Sequence, residues 1–138
     1  MFDTIVLALD GSDEARNAIP VATELAEKEE AKLVIAHVLQ YPAAKGGEVP
    51  PPGEDEIRAE IKQQAEDLSA RGIPVEVEFA DSVLGGPAHA IVDIADRTGA
   101  DLIVTGTRGR TSVAGVLLGS VTHRLLHIAK RPVLAVPA

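Results

Sequence analysis

Thr4-Ile5-Val6-Leu7-Ala8-Leu9, followed at once by Asp10-Gly11-Ser12, is the stretch whose reading decides the fold. The run is uninterrupted rather than alternating. Such a run suits a strand covered on both faces, as in a parallel sheet. Asp10-Gly11-Ser12 ends it, and Ser12 is expected to cap a helix with Asp13 and Glu14 in the first turn, where the helix dipole favours acidic groups. Ala15, Ala18, Ile19, Ala22, Leu25 and Ala26 then recur at helical spacing to about Glu29. Pro20 falls inside this pattern. An interior proline removes a hydrogen bond at ~3 kcal/mol, so a bend is expected there.

Working outward, residues 32–38 read as a second buried strand. Residues 40–53 carry Gly46-Gly47 and Pro50-Pro51-Pro52 and are expected to form a mobile surface loop. Ile57, Ile61, Ala65 and Leu68 mark a narrow-striped, solvent-facing helix over 54–71, with Gly72 as its stop. Residues 74–80 alternate apolar and acidic, which fits a strand near the sheet edge. Gly85-Gly86-Pro87 opens a helix with Ala88, Ile91, Val92 and Ala95 on its apolar face and Gly99 at its end. Residues 102–105 give a fourth strand, 120–129 a last helix and 132–136 a fifth strand, with Pro132 at its start because it cannot donate to a ladder.

Strand and helix therefore alternate, which predicts an α/β fold: a doubly wound, five-stranded, mostly parallel sheet with helices on both faces, as one domain over 1–138. Ligands of such sheets sit at the carboxyl ends of the strands, at the switch point. Asp10, Val38 and Gly106 all fall at or just after such ends and are expected to share one crevice.

Composition narrows the partners. With 13 Lys+Arg against 21 Asp+Glu, the formal charge of −8 disfavours nucleic acid and anionic membrane surfaces. The absence of cysteine excludes disulfides and Cys-containing metal sites. No signal peptide or run of membrane-spanning length is visible, so the expectation is a soluble cytoplasmic protein.

The chemistry concentrates after the fourth strand, in Gly106-Thr107-Arg108-Gly109 and Gly119-Ser120-Val121. Glycine lets a backbone approach a ligand closely. A helix beginning at Gly119-Ser120 presents free N–H groups and its positive dipole end, a ready anion site. Neither the P-loop pattern nor Gly-x-Gly-x-x-Gly is present. The phosphate site would therefore rely on main-chain donors. The competing reading is a set of glycines needed only for tight turns and helix docking.

The spacing Gly106-x2-Gly109-x9-Gly119-Ser120 resembles the nucleotide motif of the universal stress protein family, as do Asp10-Gly11-Ser12, the Gly-x-Pro at 85–87 and the closing Arg131-Pro132-Val133-Leu134-Ala135-Val136-Pro137. The resemblance runs the full length. It implies strand order 3-2-1-4-5, ATP or AMP in the crevice, and a homodimer through the last strand (Val133–Val136). Some family members lack the glycine motif and do not bind ATP; this chain carries it complete and so resembles the binding branch.

By that resemblance, amides of Gly106, Gly109, Gly119 and Val121, with the Ser120 hydroxyl and amide, hold ribose and phosphates. Asp10 contacts the nucleoside, the Val38 main chain reads the adenine edge, and Ala8, Leu9 and Thr105 line the pocket. Thr105 stands where the family often has a bulkier apolar residue. Asp10 also suits an Asx-turn or helix cap. Mg²⁺ would bridge the phosphates through their own oxygens, since no carboxylate cage is visible.

The remaining polar residues receive plainer readings. Arg108 and Arg110 serve equally as phosphate partners or as a solvated loop tip. His123 and His127 stand at i, i+4 but lack a third zinc ligand, so they read as surface or interface histidines, like His37 and His89. The acidic runs at 27–30 and 54–56 read as solvated helix ends. No catalytic residue and no metal ligand is assigned. The functions left are a nucleotide-responsive regulatory or stress protein with an unidentified protein partner, a slow ATP hydrolase or phosphotransferase, and an interaction module with an empty pocket. The second lacks the base, metal carboxylates and lysine that phosphoryl-transfer sites use.

Overall fold

The structure, a computed structural model, describes residues 1–40, 52–82, 85–108 and 118–138. In chain order the elements are β1 (Thr4–Ala8), α1 (Asp13–Arg16), α2 (Ala18–Glu29), β2 (Lys32–Leu39), α3 (Glu54–Ala70), β3 (Val75–Asp81), α4 (Pro87–Thr98), β4 (Leu102–Gly106), α5 (Ser120–Ile128) and β5 (Val133–Val136). The strands form one sheet in the order β3-β2-β1-β4-β5, and every neighbouring pair is parallel. The expected order 3-2-1-4-5 is the one found.

The uninterrupted character of β1 follows from its central place. Ile5 and Leu7, with Leu9 beyond the strand's end, pack on one face with alanines of α1 and α2 and with Ile57, Ile61 and Leu68 of α3. Val6 and Ala8 pack on the other face with Ala88, Ile91 and Ala95 of α4 and Leu125 of α5. Both faces are dry. An alternating strand there would bury charge at a cost of several kcal/mol per ion. β3, which does alternate with glutamate, lies at the sheet edge as expected.

Several boundaries differ from expectation. The bend expected at Pro20 falls upstream, because Asn17 separates α1 from α2. Pro20 is then the third residue of α2, where its missing N–H costs no intrahelical bond. The carbonyl that its ring would crowd is that of Arg16, which belongs to the preceding helix. β2 runs one residue further, to Leu39, and β4 includes Gly106. Most of the expected loop at 40–53 lies outside the described residues. No helix among them is long and apolar enough to cross a membrane.

Candidate functional site

The chain runs outward from β1 to β2 and β3, then crosses back through α4 to place β4 on the other side of β1, so a crevice opens at the carboxyl ends of β2, β1 and β4. It holds a cavity of about 920 Å³. Ala8, Leu9, Asp10, Val38, Thr105, Gly106, Gly119, Ser120 and Val121 all line it, so the fold does bring these expected residues together. Gly109, and Arg110 with it, lies outside the described residues.

Asp10 shows how local chemistry shapes the wall. Its Oδ1 accepts from the Ser12 amide at 2.9 Å and the Ser12 hydroxyl at 2.6 Å. The same Ser12 oxygen accepts from the Ala15 amide at 3.1 Å, capping α1. The Asx-turn reading of Asp10 is therefore correct, and it coexists with a place on the cavity wall.

Across the crevice, the mouth of α5 is fastened to β4. The Thr122 hydroxyl donates to the Gly106 carbonyl at 2.7 Å, and the Thr107 amide donates to the Val136 carbonyl at 2.9 Å. The Gly119 amide donates to the Thr107 carbonyl at 2.6 Å. That corrects one expected role: the Gly119 amide is taken up by the chain and positions the helix rather than facing a ligand. Ser120 and Val121 begin α5, so their amides have no acceptor within the helix. Gly106 has a packing duty as well. A Cβ there would lie 3.1 Å from the Arg108 carbonyl oxygen, and 3.3 Å from both the Ala15 Cα and the Glu14 carbonyl oxygen.

Two residues given plain readings are corrected. His37 is not at the surface but buried to 2% exposure, and Glu54 is not a solvated helix end but buried to 4%. The His37 Nδ1 lies 2.8 Å from the Leu9 carbonyl oxygen, and its Nε2 lies 3.0 and 2.9 Å from the two Glu54 oxygens. The Arg58 Nε donates to the Glu54 Oε2 at 2.8 Å. Burial pushes the Glu54 carboxyl up, but hydrogen bonds from Arg58 and His37, with their charges, outweigh it and hold it below the usual glutamate value. Both His37 and Glu54 line the cavity. His37 had a signal in the sequence, as the lone polar side chain inside the apolar run 33–39, which demands a buried partner. Glu54 had none, because only the tertiary fold turns it inward.

Arg108, His123 and Arg124 also line the cavity, so it carries two guanidinium groups in an acidic chain. The His123 and His127 rings stand 4.8 Å apart, and no cluster of three metal-ligating side chains occurs among the described residues.

The sequence model described as "Universal stress protein family" matches residues 1–137. The chain belongs to the universal stress protein family. Relatives within the family include a universal stress protein of Thermus aquaticus, 38% identical, and universal stress protein YxiE of Bacillus subtilis, 33% identical; each alignment covers 99% of both chains. Among solved structures, a universal stress protein in complex with cAMP superposes with a TM-score of 0.71 at 32% identity, covering 99% of this chain and 97% of its own.

Proposed function

We propose that this member of the universal stress protein family binds an adenine nucleotide, ATP or AMP, in the cavity at the switch point. The phosphates would lie against the start of α5 and the base beside β2. The observation that carries this reading is that α5 begins on the cavity wall with Ser120 and Val121, whose amides have no partner within the helix. Arg108 and Arg124 on the cavity wall add charge complementary to phosphate. β2 and β4 flank β1, so the two ends of the cavity are separated by two strand spacings, roughly 10 Å, about the span of a nucleoside with its first phosphates. The related protein solved with cAMP supports the ligand class. Thr105 and Ala8 would line the pocket, the Val38 main chain would meet the base, and Asp10 would face the sugar. Mg²⁺ would be held chiefly by phosphate oxygens.

The test is to purify the protein without added nucleotide, denature it and identify what is released, then to titrate the emptied protein with ATP and AMP. Recovered or titrated adenine nucleotide without turnover supports a binding protein with a regulatory role. ADP accumulating over many turnovers makes it a hydrolase instead, and no binding at all overturns the proposal. A homodimer through the outer edge of β5 belongs to the same reading, since that edge has no strand neighbour among the described residues and Leu134 is 37% exposed beside it. Light scattering at micromolar concentration tests it, and a monomeric mass refutes it.

A further inference from the structure

The buried pair His37 and Glu54, with the part-exposed Arg58 bonded to it, has no task in nucleotide capture as described so far, yet His37 and Glu54 form part of the cavity wall. A carboxylate offers about four acceptor positions. Glu54 uses them unevenly: Oε2 receives Arg58 and His37, whereas Oε1 receives only His37. His37 has no capacity to spare, with one nitrogen on the Leu9 carbonyl and the other on Glu54. Oε1 thus keeps one acceptor position on a side chain 4% exposed, in a wall it shares with Val38 and Gln40. A buried carboxylate with an unused position selects for a donor and against another acceptor, because an acceptor brought to it leaves both groups desolvated and unpaired.

We propose that Glu54 is a base-specificity residue: its Oε1 accepts a hydrogen bond from the exocyclic amine at position 6 of a bound purine and rejects a purine carrying an oxygen there. This rests on the nucleotide reading above and adds to it the residue that tells adenine from hypoxanthine or guanine. Arg58 and His37 act as positioning residues. Together they keep Glu54 ionised and fix its plane, so that the carboxylate is held in place in the cavity wall. The strand spacing agrees, since Glu54 meets β2 through His37, on the side of the cavity away from the α5 mouth.

The experiment compares three ligands that differ only at that position: ATP, purine riboside triphosphate and inosine triphosphate, titrated into the full chain. One hydrogen bond to a charged group corresponds to roughly a 10- to 150-fold change in affinity. The expected order is ATP, then purine riboside triphosphate about tenfold weaker, then inosine triphosphate about 100-fold weaker. In Glu54→Gln, whose amide can turn a donor toward the base, the ratio of ATP to inosine triphosphate falls to within about threefold. The double variant His37→Leu with Glu54→Met removes the imidazole and the carboxylate together, taking the partner from the Leu9 carbonyl and from the part-exposed Arg58, and it should show the same loss of discrimination. Equal binding of the three ligands by the unaltered protein overturns this inference and leaves the nucleotide reading standing. A wild-type ratio kept in either variant also overturns it. Failure of all three ligands to bind overturns the nucleotide reading, and this inference with it.

Discussion

The hydroxyl of Thr122 donates to the carbonyl of Gly106 across 2.7 Å and sixteen residues of sequence, in a position closed to solvent. This bond ties the first turn of α5 to the last residue of β4, and so fixes where the helix mouth opens. Thr122→Val keeps the shape, removes the donor and leaves the carbonyl buried without it. The expected loss is about 1–3 kcal/mol of stability, read by urea denaturation. Nucleotide affinity should fall as well, because the amides of Ser120 and Val121 lose their fixed position. Unchanged stability would show that water or another donor satisfies Gly106.

Gly106→Ala tests close approach rather than conformational freedom. The added Cβ meets main-chain atoms of Glu14, Ala15 and Arg108 at 3.1–3.3 Å, and none of these is the end of a side chain that can swing away. Overpacking of this kind costs about 1–3 kcal/mol. It should appear as a lowered melting temperature, with weaker nucleotide binding as α1 is pushed from β4. A variant as stable as the parent would mean that the β1–α1 turn yields freely.

Glu54 gives a pH prediction whose sign follows from its environment. Its carboxyl is held below the ordinary value in the folded protein, chiefly by hydrogen bonds from Arg58 and His37 acting against burial. A group depressed in the folded state contributes stability that is fully present above its unfolded value, about 4.3, and is lost as pH falls through the lower folded value. The stability difference between the parent and Glu54→Gln should therefore be constant from pH 7 to about 5 and shrink below about pH 4. At neutral pH the variant should be weaker by about 1–3 kcal/mol, the cost of disturbing a buried charged hydrogen-bond pair. Denaturation curves at stepped pH supply the check. A gap that widens on acidification would contradict the assignment.

The fold was legible because β1 and β2 carry their burial on both faces in the sequence itself, and because Gly72, Gly99 and Pro87 punctuate helices where they were expected to. The break at Asn17 was not legible. Ala15, Ala18 and Ala22 keep one helical phase through it, so periodicity cannot reveal that Pro20 has moved the start of a new helix upstream. For the site, chain order and strand ends were enough to gather Asp10, Val38 and the start of α5. They could not show that the Gly119 amide is spent on Thr107, nor that Glu54 turns inward. Both facts depend on partners that are distant in the chain or invisible to pattern: a main-chain carbonyl and a buried imidazole.

Gly119 offers a test that separates ligand binding from folding. Its φ of −68° and ψ of 161° lie in the extended region that any residue adopts, so no backbone strain follows from a side chain there. Its amide bond to Thr107 survives substitution, because it belongs to the main chain. What a side chain changes is the cavity, since Gly119 is part of its wall directly before the free amides of Ser120 and Val121. Gly119→Val should therefore melt within a few degrees of the parent while losing at least about 100-fold in nucleotide affinity, roughly 2.7 kcal/mol. Calorimetric titration beside a thermal melt reads both quantities on one sample. If the variant binds ATP as the parent does, the phosphates do not sit at the mouth of α5, however well formed that mouth is. If it unfolds instead, the glycine serves the packing of α5 on β4, and the choice of residue at 119 says nothing about a ligand.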